Sequence, residues 1–417
     1  MESALDSGNT AWMLAATALV LFMTPGLALF YGGMVRAKNV LGMLMQNVFA
    51  MGLMAVLWVL IGYTLAFGGT GPLVGNLDFA GFKGVGMEVM EGLTIPVILF
   101  AAFQMTFAII TPALITGATA DRMKFGAYAL FIGIWLLVVY SPVAHWVWGG
   151  GWIFDMGALD FAGGAVVHIN AGAAALAMAI LLGRRKGWPK EGMHPHSLPL
   201  TLVGTGILWF GWAGFNAGSA LAADGLAAQA ILNTFVAASA AMLGWVLAEW
   251  AKDGQPTTLG AASGAVAGLV AITPCAGFVG AVPSILIGFL AGIVCLFAIQ
   301  LKYRLGYDDS LDVVGIHLVG GLTGALLLGL FADTAINPGG ADGLFVGGGA
   351  GLLGKQFVAS IAVLAFSFVA TLVIGKVLDV IVGLRVTPEE EDQGLDLSQH
   401  AETAYNFGDV ASMGRIG

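Results

Sequence analysis

Of the 417 residues in this chain, 58% are hydrophobic and only 10% are charged, and the mean hydropathy is +0.90. A soluble domain of that length needs far more surface charge, so the composition excludes a soluble globular protein and indicates a polytopic protein of the lipid bilayer. The formal net charge of −9 says less than the placement of Lys and Arg, and no nucleic-acid partner is expected.

The opening residues, MESALDSGNT, hold two acids and no base, unlike a secretory n-region, so the first apolar run reads as a retained span. A bilayer crossing takes about 20 helical residues. Eleven runs reach or approach that length, near 10–31, 40–68, 94–119, 125–144, 163–183, 197–218, 227–250, 258–276, 279–302, 311–332 and 354–384. The run from Thr258 to Lys302 divides into two spans only because TPCAGFVG interrupts it with Pro274 and glycines. From Pro388 the chain turns polar and acidic. The expected division is therefore a membrane domain over 1–387 and a tail over 388–417. Cys275 and Cys295 lie in apolar runs and read as reduced packing residues.

Basic residues follow the odd-numbered spans: Arg36 and Lys38, Arg122 and Lys124, Arg184 to Lys186 with Lys190, Lys252, and Lys302 with Arg304. Loops after even-numbered spans carry almost none. The positive-inside rule then places the odd loops and the C-terminus in the cytoplasm and the N-terminus outside, for a multi-pass protein of the cell membrane.

Two runs place a histidine in apolar surroundings: GGAVVHINAGAAAL at His168 and DVVGIHLVGGLTGALLL at His317. Each histidine follows an aspartate, Asp160 or Asp309, by eight residues and precedes a glycine, Gly172 or Gly321, by four. The first lies in span five and the second in span ten. The fold class expected is all-α, with eleven transmembrane helices arranged as an inverted five-helix repeat. Spans 1–5 cover about 10–183, spans 6–10 cover about 197–332, and a long final helix covers 354–384. If each helix begins just after its aspartate, eight residues carry each imidazole ~12 Å inward from opposite faces, and the two can meet near the midplane.

Paired ionisable groups at matching depth mark a pathway, and neutral imidazoles sharing a hydrogen bond can line a pore and handle a proton. No third ligand sits at metal spacing, and no metal or cofactor is expected. Asp160, Asp309 and Asp312 read either as helix N-caps or as supporting acids near a cation site. Phe103 and Phe107 share a helix face, as do Phe215 and Ser219, and Trp148 is placed in the loop HWVWGGGW. Together they form an outer cup whose ring faces attract a cation, with Phe107 against Phe215 as a dry gate.

With these motifs in place, the chain resembles the ammonium transporter family (Amt/MEP/Rh) over nearly its whole length. The resemblance rests on TPGLALFYGGMVRAKNVL, DFAGGAVVHINAGAAAL, LWFGWAGFNAGSAL and DDSLDVVGIHLVGG, and it is nearest to the bacterial Amt branch. It implies a homotrimer with one pore per subunit and no enzymatic activity. Phe103, Phe107, Trp148 and Ser219 would recruit ammonium, Phe107 and Phe215 would gate, His168 and His317 would be the twin histidines, and Asp160 the acid near the recruitment site. Ammonium would be deprotonated outside and ammonia passed inward, with net charge transfer. The tail GLDLSQHAETAY resembles the segment that contacts a PII signalling protein. Departures are Val314 and Leu318 beside His317, Ala401 where glycine is usual, and Asp121 where glutamate is usual. A neutral-gas channel, an ammonium sensor and an intramembrane metal enzyme are the competing readings.

Overall fold

The computed structural model describes residues 4–405; residues 406–417 of the expected tail lie outside the described residues. Among the described residues, ten helices are long and apolar enough to cross a membrane. They are α1 Ser7–Met34, α2 Ala37–Phe67, α3 Val97–Thr119, α4 Phe125–Met156, α5 Gly164–Leu182, α6 Leu198–Ala217, α7 Gly225–Asp253, α9 Ala281–Leu305, α10 Val314–Phe331 and α11 Gly351–Ile381. The eighth crossing is the shorter α8, Thr258–Ile272. Two short helices, α12 Pro388–Gln393 and α13 Leu395–His400, come after α11.

Fifteen helical residues make α8 about 22 Å long, short of the ~30 Å hydrocarbon core. The crossing continues through buried turns that contain Pro274. Irregular backbone at membrane depth requires internal partners. Asn233 of α7 supplies them, its amide donating to the carbonyls of Ala276 at 2.9 Å and Val279 at 2.7 Å, while Phe161 N–H donates to the Pro274 carbonyl.

The spans fall where the apolar runs predict, with two local corrections. Trp148 is not in a loop: α4 passes a π turn at Leu136–Tyr140 and stays helical through Trp148, until the glycines at 149–151 break it. Nor do the histidine helices begin at their aspartates. They begin at Gly164 and Val314, each as a π turn, so helix alone carries each imidazole only ~6 Å or less. The non-helical segments leading in cover the rest.

Helix pairing follows the repeat. A Cβ on Gly172 of α5 would lie 2.4 Å from the Leu318 nitrogen, and one on Gly321 of α10 would lie 3.2 Å from His168 Cβ. Residue numbers rise along one helix as they fall along the other, so α5 and α10 are antiparallel. The same pattern joins α1 to α6, where a Cβ on Gly204 would sit 2.2 Å from the Phe30 nitrogen and one on Gly26 would sit 2.6 Å from Ile207. Small residues at these crossings let the backbones touch.

The loops after spans 1, 3, 5 and 9 meet the tail at one end of the bundle. Arg122, fully buried, donates to the carbonyls of Gly183, Ala120 and Asp308 and to Ser310 Oγ. Arg185 holds the Asp308 carboxylate on both oxygens at 2.9 Å. Glu391, also buried, accepts from Lys186 N–H and Arg385 and ties α12 to this end.

Candidate functional site

Three helices build a funnel at the opposite end. One face of α3 carries Phe103 and Phe107, α4 presents Trp148 just before its glycine break, and the π turn of α6 at Ala213–Ala217 presents Phe215 with Ser219 one turn on. A depression of about 180 Å³ is lined by Gln104, Phe107, Trp148, Phe161 and Ser219 among others. Phe107 meets Trp148 edge-on at 5.9 Å. Phe103 stands behind Phe107 at 5.0 Å and is almost fully buried. Ser219 Oγ–H donates to the Phe215 carbonyl at 2.8 Å, which leaves its lone pairs to accept from a solute. Gln104, which sequence reasoning did not single out, brings a buried Oε1 with no protein hydrogen-bond partner. Its signal was there: one amide in the apolar run FAAFQMTFAII.

Below the depression the Phe107 and Phe215 rings lie 4.3 Å apart, both about 1% exposed, and close the passage. Under them a cavity of about 10 Å³, room for roughly one water, is lined by Phe215, Trp212, His168 and His317 with apolar side chains. The two Nδ1 atoms are 3.2 Å apart. One must donate and the other accept, so the pair shares a single proton between those atoms. His168 Nε2 is buried with no protein partner. His168 stacks on Trp212 at 5.5 Å, a neighbour also missed from sequence, although it lies three residues before Phe215.

The aspartates act on backbone. Asp160 accepts from the N–H groups of Gly163, Gly164, Ala165 and Val166 at 2.6 to 3.2 Å, and its carbonyl accepts from Trp148 Nε1–H at 2.9 Å. Burial pushes the Asp160 carboxyl up, and the four N–H donors pull against it. Asp309 does the same for Val313 and Val314, and burial raises its carboxyl to about 6 although Lys302 opposes the shift. Asp312 pairs with Lys302 at 2.6 Å rather than facing the histidines. Among the described residues no group of three or more His, Cys, Asp or Glu could hold a metal.

The site is thus an open aromatic cup, a shut ring pair and a narrow apolar cavity with two touching imidazoles. A family model described as Ammonium Transporter Family matches residues 11–405. An ammonium transporter of Bacillus subtilis is 52% identical, with 96% of this chain and 99% of the relative covered. The solved structure of Candida albicans Mep2 superposes with a TM-score of 0.88 at 38% identity, covering 97% of this chain and 92% of that one. A solved Sensor Amt Protein gives a TM-score of 0.87 at 29% identity, covering 94% and 98%. This chain belongs to the Ammonium Transporter Family, a family of membrane transporters and not of enzymes.

Proposed function

We propose that this protein carries ammonium across the cell membrane, binding the cation in the outer cup and passing ammonia along the histidine-lined bore. The observation that carries the reading is the stacking order: a cup of ring faces and acceptor oxygens, then Phe107 on Phe215, then His168 on His317 in a cavity the size of one water. Ring faces and the oxygens of Ser219 and Gln104 suit an ion that carries four N–H donors. The apolar constriction opposes a hydrated charge, which favours loss of a proton before passage. Potassium, similar in size, has no proton to give. Asp160 takes no direct part: it holds the backbone that shapes the cup, because all its hydrogen bonds go to N–H groups. The proton crosses separately, along the histidine pair, so uptake carries net charge.

The end bearing the basic loops and the tail faces the cytoplasm, in keeping with the placement of Lys and Arg. The protein works as a homotrimer with one bore per subunit. The residues 394–405 form the contact for a PII-type signalling protein in the cytoplasm. Current recordings on purified protein in liposomes test the central claim. An ammonium jump should give a transient inward charge movement and a potassium jump none; ammonia flux without any charge movement would instead support a gas channel.

A further inference from the structure

The loop that sets the outer site is anchored by a residue outside both repeat halves. Gln356 lies in α11 and is 2% exposed. A buried amide is costly unless its hydrogen bonds are made, and here they are. Its Oε1 accepts from Leu159 N–H at 2.7 Å, and its Nε2–H donates to the Leu159 carbonyl at 2.8 Å and to the Ala325 carbonyl at 3.3 Å. The amide thus grips residue 159 from both sides of its backbone and ties it to α10.

Leu159 leads directly into the machinery of the outer cup. Asp160 gathers four N–H groups at the start of the helix that carries His168, and its carbonyl fixes the Trp148 indole. The segment is bounded by Gly157 and Gly163, with φ of 76° and 112°, so its ends have the freedom to swing if the grip is lost. A cavity of about 10 Å³ behind Asp160 is also lined by Gln356 and Ser360, so α11 shapes the room on that side as well. The matching loop of the second half is held by other means: Lys302 Nζ donates to the Asp309 carbonyl at 3.0 Å and to the Asp312 carboxylate.

We infer that Gln356 is a positioning residue for the outer site, which holds Leu159 so that the Asp160 carbonyl keeps the Trp148 indole in one fixed geometry toward the incoming cation. The inference rests on the recruitment reading above. Its loss therefore weakens binding of the cation, while the maximal rate per folded subunit changes little. Gln356→Met tests this, since methionine fills similar volume and makes none of the three hydrogen bonds. Currents from purified protein in liposomes, titrated with ammonium, should show the half-saturating concentration raised about ten-fold. Gln356→Met combined with Trp148→Leu should be no worse than Trp148→Leu alone, because both act through one indole. Gln356→Asn, one methylene short, repeats the measurement if the methionine variant does not fold. A folded variant with unchanged half-saturation, or a double variant whose effects multiply, overturns the role of Gln356. If Trp148→Leu alone leaves half-saturation unchanged, the recruitment reading falls; a shift with Gln356→Met would then still support the positioning role, exerted through the backbone that Asp160 holds and not through the indole.

Discussion

His168 and His317 touch through like atoms, Nδ1 to Nδ1 at 3.2 Å, from two helices that run in opposite directions. That contact fixes the tautomers as a pair: one ring carries its proton on Nδ1, and the other must carry its own on Nε2. Reversing both assignments takes three steps together: a proton shifts across the contact, the first ring gains one at Nε2, and the second ring releases its own from Nε2. The pair is therefore one unit, not two independent sites.

A unit of this kind is lost as a whole. Replacing both histidines with leucine should abolish ammonium-driven current, and either single replacement should cost nearly as much as the double. Recordings in liposomes check this; uptake with wild-type selectivity after the double replacement would remove the pair from the mechanism.

The approach of the helices that carry the pair predicts an asymmetry between repeat-related glycines. A methyl on Gly172 would meet the Leu318 backbone nitrogen at 2.4 Å, so α10 itself must move. A methyl on Gly321 would first meet Ile169 Cγ1 at 3.0 Å, a side chain that can give way. Gly172→Ala should cost about 1–3 kcal/mol and Gly321→Ala less. Melting curves of the two variants in detergent compare them directly, and equal losses would contradict the packing described.

Hydropathy made the spans legible because a bilayer enforces length and apolarity on every crossing. It could not show that five of the helices contain π turns, since an extra residue in a turn leaves the apolar pattern intact. Nor could it show where the helices end: α4 stays helical through Trp148, which was placed in a loop, and the histidine helices start at Gly164 and Val314, so the ~12 Å helical climb was too long. The pairing of His168 with His317 survived because it depended on the repeat and not on where each helix starts. Gln104, Trp212 and Gln356 were missed in a different way. Each is a single residue in an apolar helix with no mate at repeat spacing, and only the fold shows what it faces. The tail was read only as polar and acidic, and composition could not show that Glu391 and Asp396 are buried, their carboxylates held by Lys186 N–H, Arg385 and Gly42 N–H.

Acid should loosen the end of the bundle where the tail docks. Burial would raise the Asp308 carboxyl, but Arg185 grips both its oxygens and holds it below the usual value of 3.8. A depressed carboxylate contributes stability that is fully present above the unfolded value and is lost as pH falls through the folded one. The melting temperature should therefore drop below about pH 4. Asp308→Asn, which leaves buried Arg185 only the Asp121 carboxylate at 3.5 Å, should cost about 3 kcal/mol at neutral pH and flatten the acid limb. Melting curves from about pH 3 to 7 that stay parallel for the two proteins would count against the pair.

The end of α13 offers a change in the other direction. Ala401 caps that helix at φ 56°, a left-handed conformation that costs a residue with a Cβ about 1–2 kcal/mol, and glycine is the usual occupant of such a cap. Glycine also gains more freedom in the unfolded chain, which offsets part of the relief. The net effect of Ala401→Gly should be tighter docking of α12 and α13 on the bundle by about 1 kcal/mol. Hydrogen exchange of the amides at 395–401 reads this local stability without unfolding the membrane helices, and their protection should rise about five-fold. Wild-type protection at those amides would mean that the strain at Ala401 is relieved elsewhere in the tail.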